Sequence, residues 1–107
     1  MPQQGAARRI VITGMGAVSA AGIGATPLWR AARDGVSCVR PLRSERPYVG
    51  RIKIAAQVPD FNPAAYLEAE LLPYCDPFTQ FSIVAADEAL AQAGFERKAV
   101  GDRKSVV

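Results

Sequence analysis

The sequence predicts an α/β fold. Strand-like and helix-like segments alternate along it, in the order strand, helix, strand, helix, helix and the start of a further strand. Ile10, Val11 and Ile12 form a continuous β-branched run, the pattern of a strand buried on both faces. Residues 78–93 read as a helix that is apolar around most of its circumference, which requires burial on several sides. At 107 residues the chain holds at most one domain.

Residues 1–7 are small or polar and read as a disordered leader, with the domain running over 8–107. The first strand ends at Thr13-Gly14-Met15-Gly16. From there to Gly24 the residues are small or aliphatic, the composition of a tight buried turn region. Thr26-Pro27 then opens a helix of about two turns, Thr26 as the cap and Pro27 at the first helical position, where its missing donor costs nothing. Gly35 supplies the left-handed stop. Leu28, Ala31 and Ala32 share its apolar face. Residues 36–50 form a loop. Residues 51–58 alternate, with Ile52, Ile54, Ala56 and Val58 on one side and Arg51, Lys53, Ala55 and Gln57 on the other, as in a strand with one wet face. Asn62-Pro63 opens a short helix through Leu67, and Asp76-Pro77 opens the long one, which Gly94 stops. On the long helix Gln80, Asp87, Glu88 and Gln92 make a narrow polar stripe, and its alanines allow another backbone to approach closely. Residues 103–107 begin a strand and stop, as in a chain cut short. These elements cannot cover a doubly buried strand on both edges and both faces, so the core is expected to be incomplete.

Composition excludes several classes. With 50% apolar and 21% charged residues the chain is not intrinsically disordered. No window approaches the ~18 uninterrupted apolar residues of a membrane span, and the N-terminus lacks a signal-peptide pattern; the reading is a cytoplasmic protein. A count of His 0 excludes histidine acid–base chemistry and Ser–His or Cys–His pairs within this chain. Cys38 and Cys75 form no CxxC and no metal spacing, and read as reduced structural thiols. The net charge is +3. Arg40, Arg43, Arg46, Arg51 and Lys53 cluster, but only Tyr48 is interleaved with them, so they read as a solvated loop and strand edge and not a nucleic-acid surface.

Each remaining motif has a plainer structural reading. Gly14-Met15-Gly16 after a strand invites a dinucleotide fingerprint, but Ser19 stands where its third glycine belongs, and the loop continues where a helix should open. Asp34 has the ribose-acid spacing yet sits at a helix end. Cys75 precedes a helix N-terminus, without a histidine to work with, and reads as a packed thiol. Asp60, Glu68, Glu70, Asp76, Asp87 and Glu88 have no metal-site or glycosidase spacing. The residues therefore nominate no catalytic, cofactor-binding or metal-ligating position, and no cofactor is expected.

Taken in order, the segments resemble the N-terminal end of a β-ketoacyl-acyl-carrier-protein synthase, the condensing enzyme of fatty-acid and polyketide synthesis. The resemblance is carried by Arg8-Arg9-Ile10-Val11-Ile12-Thr13-Gly14-Met15-Gly16-Ala17-Val18-Ser19, by Gly24, Trp29 and Gly35, and by Ala55-Ala56-Gln57-Val58-Pro59-Asp60-Phe61-Asn62-Pro63. Asp76-Pro77-Phe78-Thr79-Gln80-Phe81 and residues 85–94 continue it. It implies a thiolase-like α-β-α-β-α layered fold, of which this chain would be an incomplete N-terminal part. It implies an acyltransferase that condenses malonyl-carrier protein with an acyl thioester, using a cysteine nucleophile and two histidines. Neither Cys38 nor Cys75 matches the nucleophile's motif, so this chain alone is expected to be inactive. Acyl carrier protein and acyl or malonyl thioesters would be the partners, in a homodimer or heterodimer, with no nucleic acid and no membrane.

Two departures stand out. Pro77 follows Asp76 where many members have Arg. Glu68-Ala69-Glu70-Leu71-Leu72-Pro73-Tyr74 is acidic and apolar where fatty-acid synthases of this class are basic and meet the carrier. The Leu71-Leu72-Pro73, Asp76-Pro77, Thr79 pattern also resembles the chain-length-factor subunits of aromatic polyketide synthases, which lack the nucleophile. A small non-enzymatic α/β binding module is the remaining alternative.

Overall fold

The computed structural model describes residues 7–44 and 50–95. Most of the expected leader, Arg46, Tyr48 and the strand start at 103–107 lie outside these residues. The fold is a mixture of helix and short strand. Strand β1 (Val18–Ser19) pairs antiparallel with β2 (Gly22–Ile23), Val18 opposite Ile23. Helix α1 (Ala25–Asp34) follows at once. Strand β3 (Arg40–Pro41) pairs antiparallel with β4 (Ile54–Ala55), Arg40 opposite Ala55. Two 3-10 turns, Pro63–Ala65 and Leu72–Tyr74, lead into helix α2 (Pro77–Gln92).

The helix signals in the sequence operate largely as their chemistry dictates. Gly35 takes the left-handed conformation at φ 66, and the N–H groups of Gly35 and Val36 both reach the Ala31 carbonyl. Only glycine adopts that φ without a Cβ penalty. The Asn62 side chain accepts from the Ala64 N–H at 3.2 Å, capping the first 3-10 turn. Leu28, Ala31 and Ala32 face the β1–β2 hairpin across a shallow groove also lined by Ser19, Ala20 and Ala21. The start of α1 departs from expectation. It begins one residue before Thr26, with Gly24 at the cap position and no capping side chain of its own; another element supplies the acceptor, as described below.

Two expected strands are corrected. Residues 10–12 are not a strand: Ile10 is 92% and Ile12 83% exposed. A β-branched run becomes a strand only when a neighbour takes its N–H and C=O groups, and among the described residues none does. The strand over 51–58 contracts to Ile54–Ala55, and neither of its sides is buried: Ile52, Ile54 and Ala56 are exposed, with Val58 half-buried on the expected apolar side and Ala55 on the other. Conversely, the stretch read as a turn region contains the β1–β2 hairpin, and the loop over 36–50 contributes β3.

The core is correspondingly small. Leu67 and Val84, at 5% and 6% exposure, are the buried apolar side chains among the described residues. Phe61 is half-buried between two other rings. It stacks on Tyr66 with ring centroids 5.6 Å apart and meets Phe81 edge-on at 4.9 Å, geometries that add about 0.5–1.5 kcal/mol per pair beyond burial. The radius of gyration is 18.5 Å, against ~13 Å for a compact domain of about 100 residues. Few apolar side chains are thus buried among the described residues.

Candidate functional site

The most elaborate constellation lies where the glycine-rich turn crosses α2. A Cβ at Gly14 would overlap the Ala89 carbonyl oxygen, and one at Gly16 the Ala85 carbonyl oxygen. The turn backbone therefore rests directly on the alanine stripe of α2, one glycine per helical turn. This is the close backbone approach that the alanines of the long helix predict. It also accounts for Gly14-Met15-Gly16 without a nucleotide: the glycines face a helix, not a phosphate. Asp34, the acid at ribose spacing, is exposed at the far end of α1 and pairs with Arg33 at 2.9 Å.

The polar stripe of α2 is corrected by the same geometry. Glu88 is half-buried and bonds inward. Its Oε1 accepts from the Ala17 N–H at 2.9 Å, and both carboxylate oxygens accept from the Ala25 N–H at 3.1 and 3.0 Å. Ala25 is the first residue of α1, so Glu88 supplies the helix with the acceptor and the negative charge that a cap residue would otherwise provide. Gln92 Oε1 accepts from the Met15 N–H at 2.8 Å, and Gln80 Nε2 donates to the Cys75 carbonyl at 3.1 Å. Three of the four stripe residues thus fasten chain segments to α2. A signal for this was present: residues 14–25 are rich in N–H donors, and Ser19 is their sole side-chain oxygen, so distant acceptors had to come from elsewhere.

Beside Glu88 opens a cleft of about 330 Å³ lined by Ala17, Ile23, Gly24, Tyr66, Val84 and Asp87. Its walls are mainly apolar. Cys38 and Cys75 are both half-buried free thiols. Cys38 lies just before β3 and Cys75 just before α2, and no group of three metal-ligating side chains occurs among the described residues. Arg40, Arg43, Arg51 and Lys53 are exposed on and around the β3–β4 hairpin, and Glu68 and Glu70 are exposed between the 3-10 turns. No described helix is long and apolar enough to cross a membrane.

The constellation these residues build is a glycine turn held on a helix by close backbone approach and by side-chain acceptors. Residues 7–107 match the family described as beta-ketoacyl synthase, N-terminal domain. The chain is 43% identical over 103 residues to a putative polyketide beta-ketoacyl synthase 2 of Streptomyces halstedii, covering 94% of this chain and 24% of that protein. It is 37% identical over 87 residues to the tetracenomycin polyketide synthase ketoacyl synthase beta subunit of Streptomyces glaucescens, covering 81% and 21%. It is 37% identical over 89 residues to the 3-oxoacyl-[acyl-carrier-protein] synthase 2 of Coxiella burnetii, covering 83% and 22%. The chain belongs to the beta-ketoacyl synthase family, within its N-terminal domain. It spans about a quarter of the length of the relatives it matches.

Proposed function

We propose that this chain is the N-terminal scaffold of a condensing enzyme that joins a malonyl-carrier thioester to an acyl thioester with loss of carbon dioxide, in the cytoplasm. The observation that carries this reading is the family match over residues 7–107. In such an enzyme a cysteine thiolate takes the acyl group, because a thiolate is a strong nucleophile and a good acyl leaving group. Decarboxylation of the malonyl unit then yields a carbanion that attacks the acyl thioester, releasing the cysteine. Histidines and backbone donors stabilise the developing enolate charge. Those groups belong to the part of the relatives' length that this chain does not span. Here the work is architectural: Gly14, Gly16 and Glu88 hold the first segment and α1 against α2, within a thiolase-like layered fold.

A second reading has its own support. The Leu71-Leu72-Pro73, Asp76-Pro77, Thr79 pattern and the similarity to a relative named as a ketoacyl synthase beta subunit favour a non-catalytic chain-length-factor subunit. One experiment separates the two. The full-length protein is incubated with a labelled acyl-carrier thioester, then digested and analysed by mass spectrometry. An acylated cysteine outside residues 1–107, with condensation on adding malonyl-carrier protein, is the expected result. Full-length protein that forms no acyl-enzyme alone but supports condensation with a catalytic partner would establish the chain-length factor instead. The 107-residue chain by itself should give no turnover above buffer; turnover abolished by Cys75→Ala would overturn both readings.

A further inference from the structure

We propose that the cleft beside the β3–β4 hairpin binds a short zwitterion, a small molecule whose carboxylate and ammonium are joined by a few methylene groups. The cleft holds about 190 Å³. Arg40 and Arg43 line it from β3 and its exit, and Asp60 lines it from the chain that follows β4. All three side chains are exposed to solvent, and among the described residues none of them forms an ion pair with another. Charges of both signs thus face one cleft without neutralising each other. Pro41, Val58 and Pro59 make much of the remaining lining apolar. The complement of such a cleft is a ligand with opposite charges at its two ends and an aliphatic body.

The backbone holds this arrangement. The Arg43 N–H donates to Gln57 Oε1 and Gln57 Nε2 donates to the Arg43 carbonyl, both at 2.9 Å. That clamp ties the exit of β3 to the chain just before Asp60, so less ordering is lost when a ligand binds. Asp60 takes the left-handed conformation at φ 49, the one non-glycine residue to do so among the described residues. Aspartate tolerates that region better than most side chains, and such backbone outliers gather at ligand clamps. The arginines offer planar donor forks to a carboxylate, and Asp60 accepts from an ammonium. One exposed ion pair contributes little, but a ligand that carries both charges makes its second contact intramolecular. The cleft therefore selects for both charges in one molecule. A plain anion suits it less, because Asp60 repels it, and a metal cation suits it less, because the arginines do. Sites for drug-sized ligands run to ~300–1,000 Å³, so this smaller cleft fits a ligand of few atoms.

The test titrates the full-length protein by isothermal titration calorimetry with β-alanine, γ-aminobutyrate and ε-aminocaproate, beside butyrate, butylammonium and inorganic phosphate. At least one zwitterion should bind with a Kd about tenfold or more below those of butyrate and butylammonium. Asp60→Asn, whose side chain tolerates the same backbone conformation, should raise that Kd about tenfold and leave butyrate binding unchanged. Arg40→Gln/Arg43→Gln should weaken the zwitterion and butyrate alike. Gln57→Ala keeps all three charges and removes the clamp, so it should weaken the zwitterion by less than either charge variant. A thermal melt accompanies each variant, and if the double arginine variant does not fold, the Asp60→Asn comparison decides alone. Zwitterions that bind no more tightly than the singly charged probes, or that bind Asp60→Asn as tightly as the parent, overturn the proposal. Phosphate that binds more tightly than every zwitterion and is lost in the arginine variant assigns the cleft to simple anions and overturns it too. None of these readouts is condensation, so failure of the condensing reading leaves the result interpretable.

Discussion

Removing the Glu88 carboxylate should release the glycine turn from α2 and loosen the start of α1 together. The carboxylate receives the Ala17 N–H at 2.9 Å and the Ala25 N–H at 3.0 and 3.1 Å. Hydrogen bonds to a charged group contribute about 1.5–3 kcal/mol each. The site is half-buried, so the lower end applies, and two donors give about 3 kcal/mol for Glu88→Ala. Local opening free energy converts to exchange rate at tenfold per ~1.4 kcal/mol. Amide hydrogen exchange at Ala17 and Ala25 in the full-length protein should therefore accelerate about a hundredfold. Glu88→Gln keeps one acceptor oxygen and turns the other into a donor, so its effect should be intermediate. Gln92→Ala removes only the exposed bond to Met15 and should leave Ala17 and Ala25 protected. Exchange at those two amides that is no faster in Glu88→Ala than in Gln92→Ala would refute the reasoning.

Further expectations concern the backbone and the open core. Gly16→Ala drives a Cβ into the Ala85 carbonyl of a helix that cannot yield, so it should cost the ~1–3 kcal/mol of overpacking or more. Gly35→Ala meets nothing within 4 Å but must hold φ 66, and should cost only the ~1–2 kcal/mol of a left-handed residue; calorimetry of both variants in the full-length protein should give that order. The isolated 107-residue chain leaves Ile10, Ile12 and Phe78 exposed, where burying each would contribute ~1.5–3 kcal/mol against a whole-domain stability of ~5–15 kcal/mol. Alone it should unfold without a sharp transition or self-associate, and a monomer by sedimentation with one steep reversible urea transition would contradict this.

Local chemistry was largely legible in the sequence, and long-range partnership was not. Gly35, Asn62 and Pro77 were readable because each acts on groups within a few residues of itself, whereas Asp76 holds the cap position of α2 without the side-chain hydrogen bond expected of it. Leu28, Ala31 and Ala32 were readable because a helix face follows from period alone. Glu88 was not readable as an inward acceptor, since its donors at Ala17 and Ala25 lie 71 and 63 residues away. A carboxylate on a helix looks the same in sequence whether it faces water or an unsatisfied backbone. Residues 10–12 failed for the complementary reason: β-branching states a preference for a strand but cannot create the neighbour that makes one.

The Gly14-Met15-Gly16 turn shows how far such ambiguity reaches. Two glycines at spacing two allow a backbone to approach something closely, and a phosphate and a helix are equally good reasons for that approach. What distinguishes them is the partner's own surface. A phosphate site offers the turn's N–H groups to an anion. Here the N–H groups of Met15 and Ala17, each directly after one of the two glycines, go to Gln92 and Glu88, while the glycines themselves lie over Ala89 and Ala85. The four residues recur along α2 at positions 85, 88, 89 and 92, the spacing of one helix face. That face is thus matched atom by atom to the turn: small where the turn needs room, and acceptor-bearing where it needs partners. The match couples the first segment to α2 over more than seventy residues of sequence. It also explains why a chain with so little buried core can hold a defined geometry at this one place.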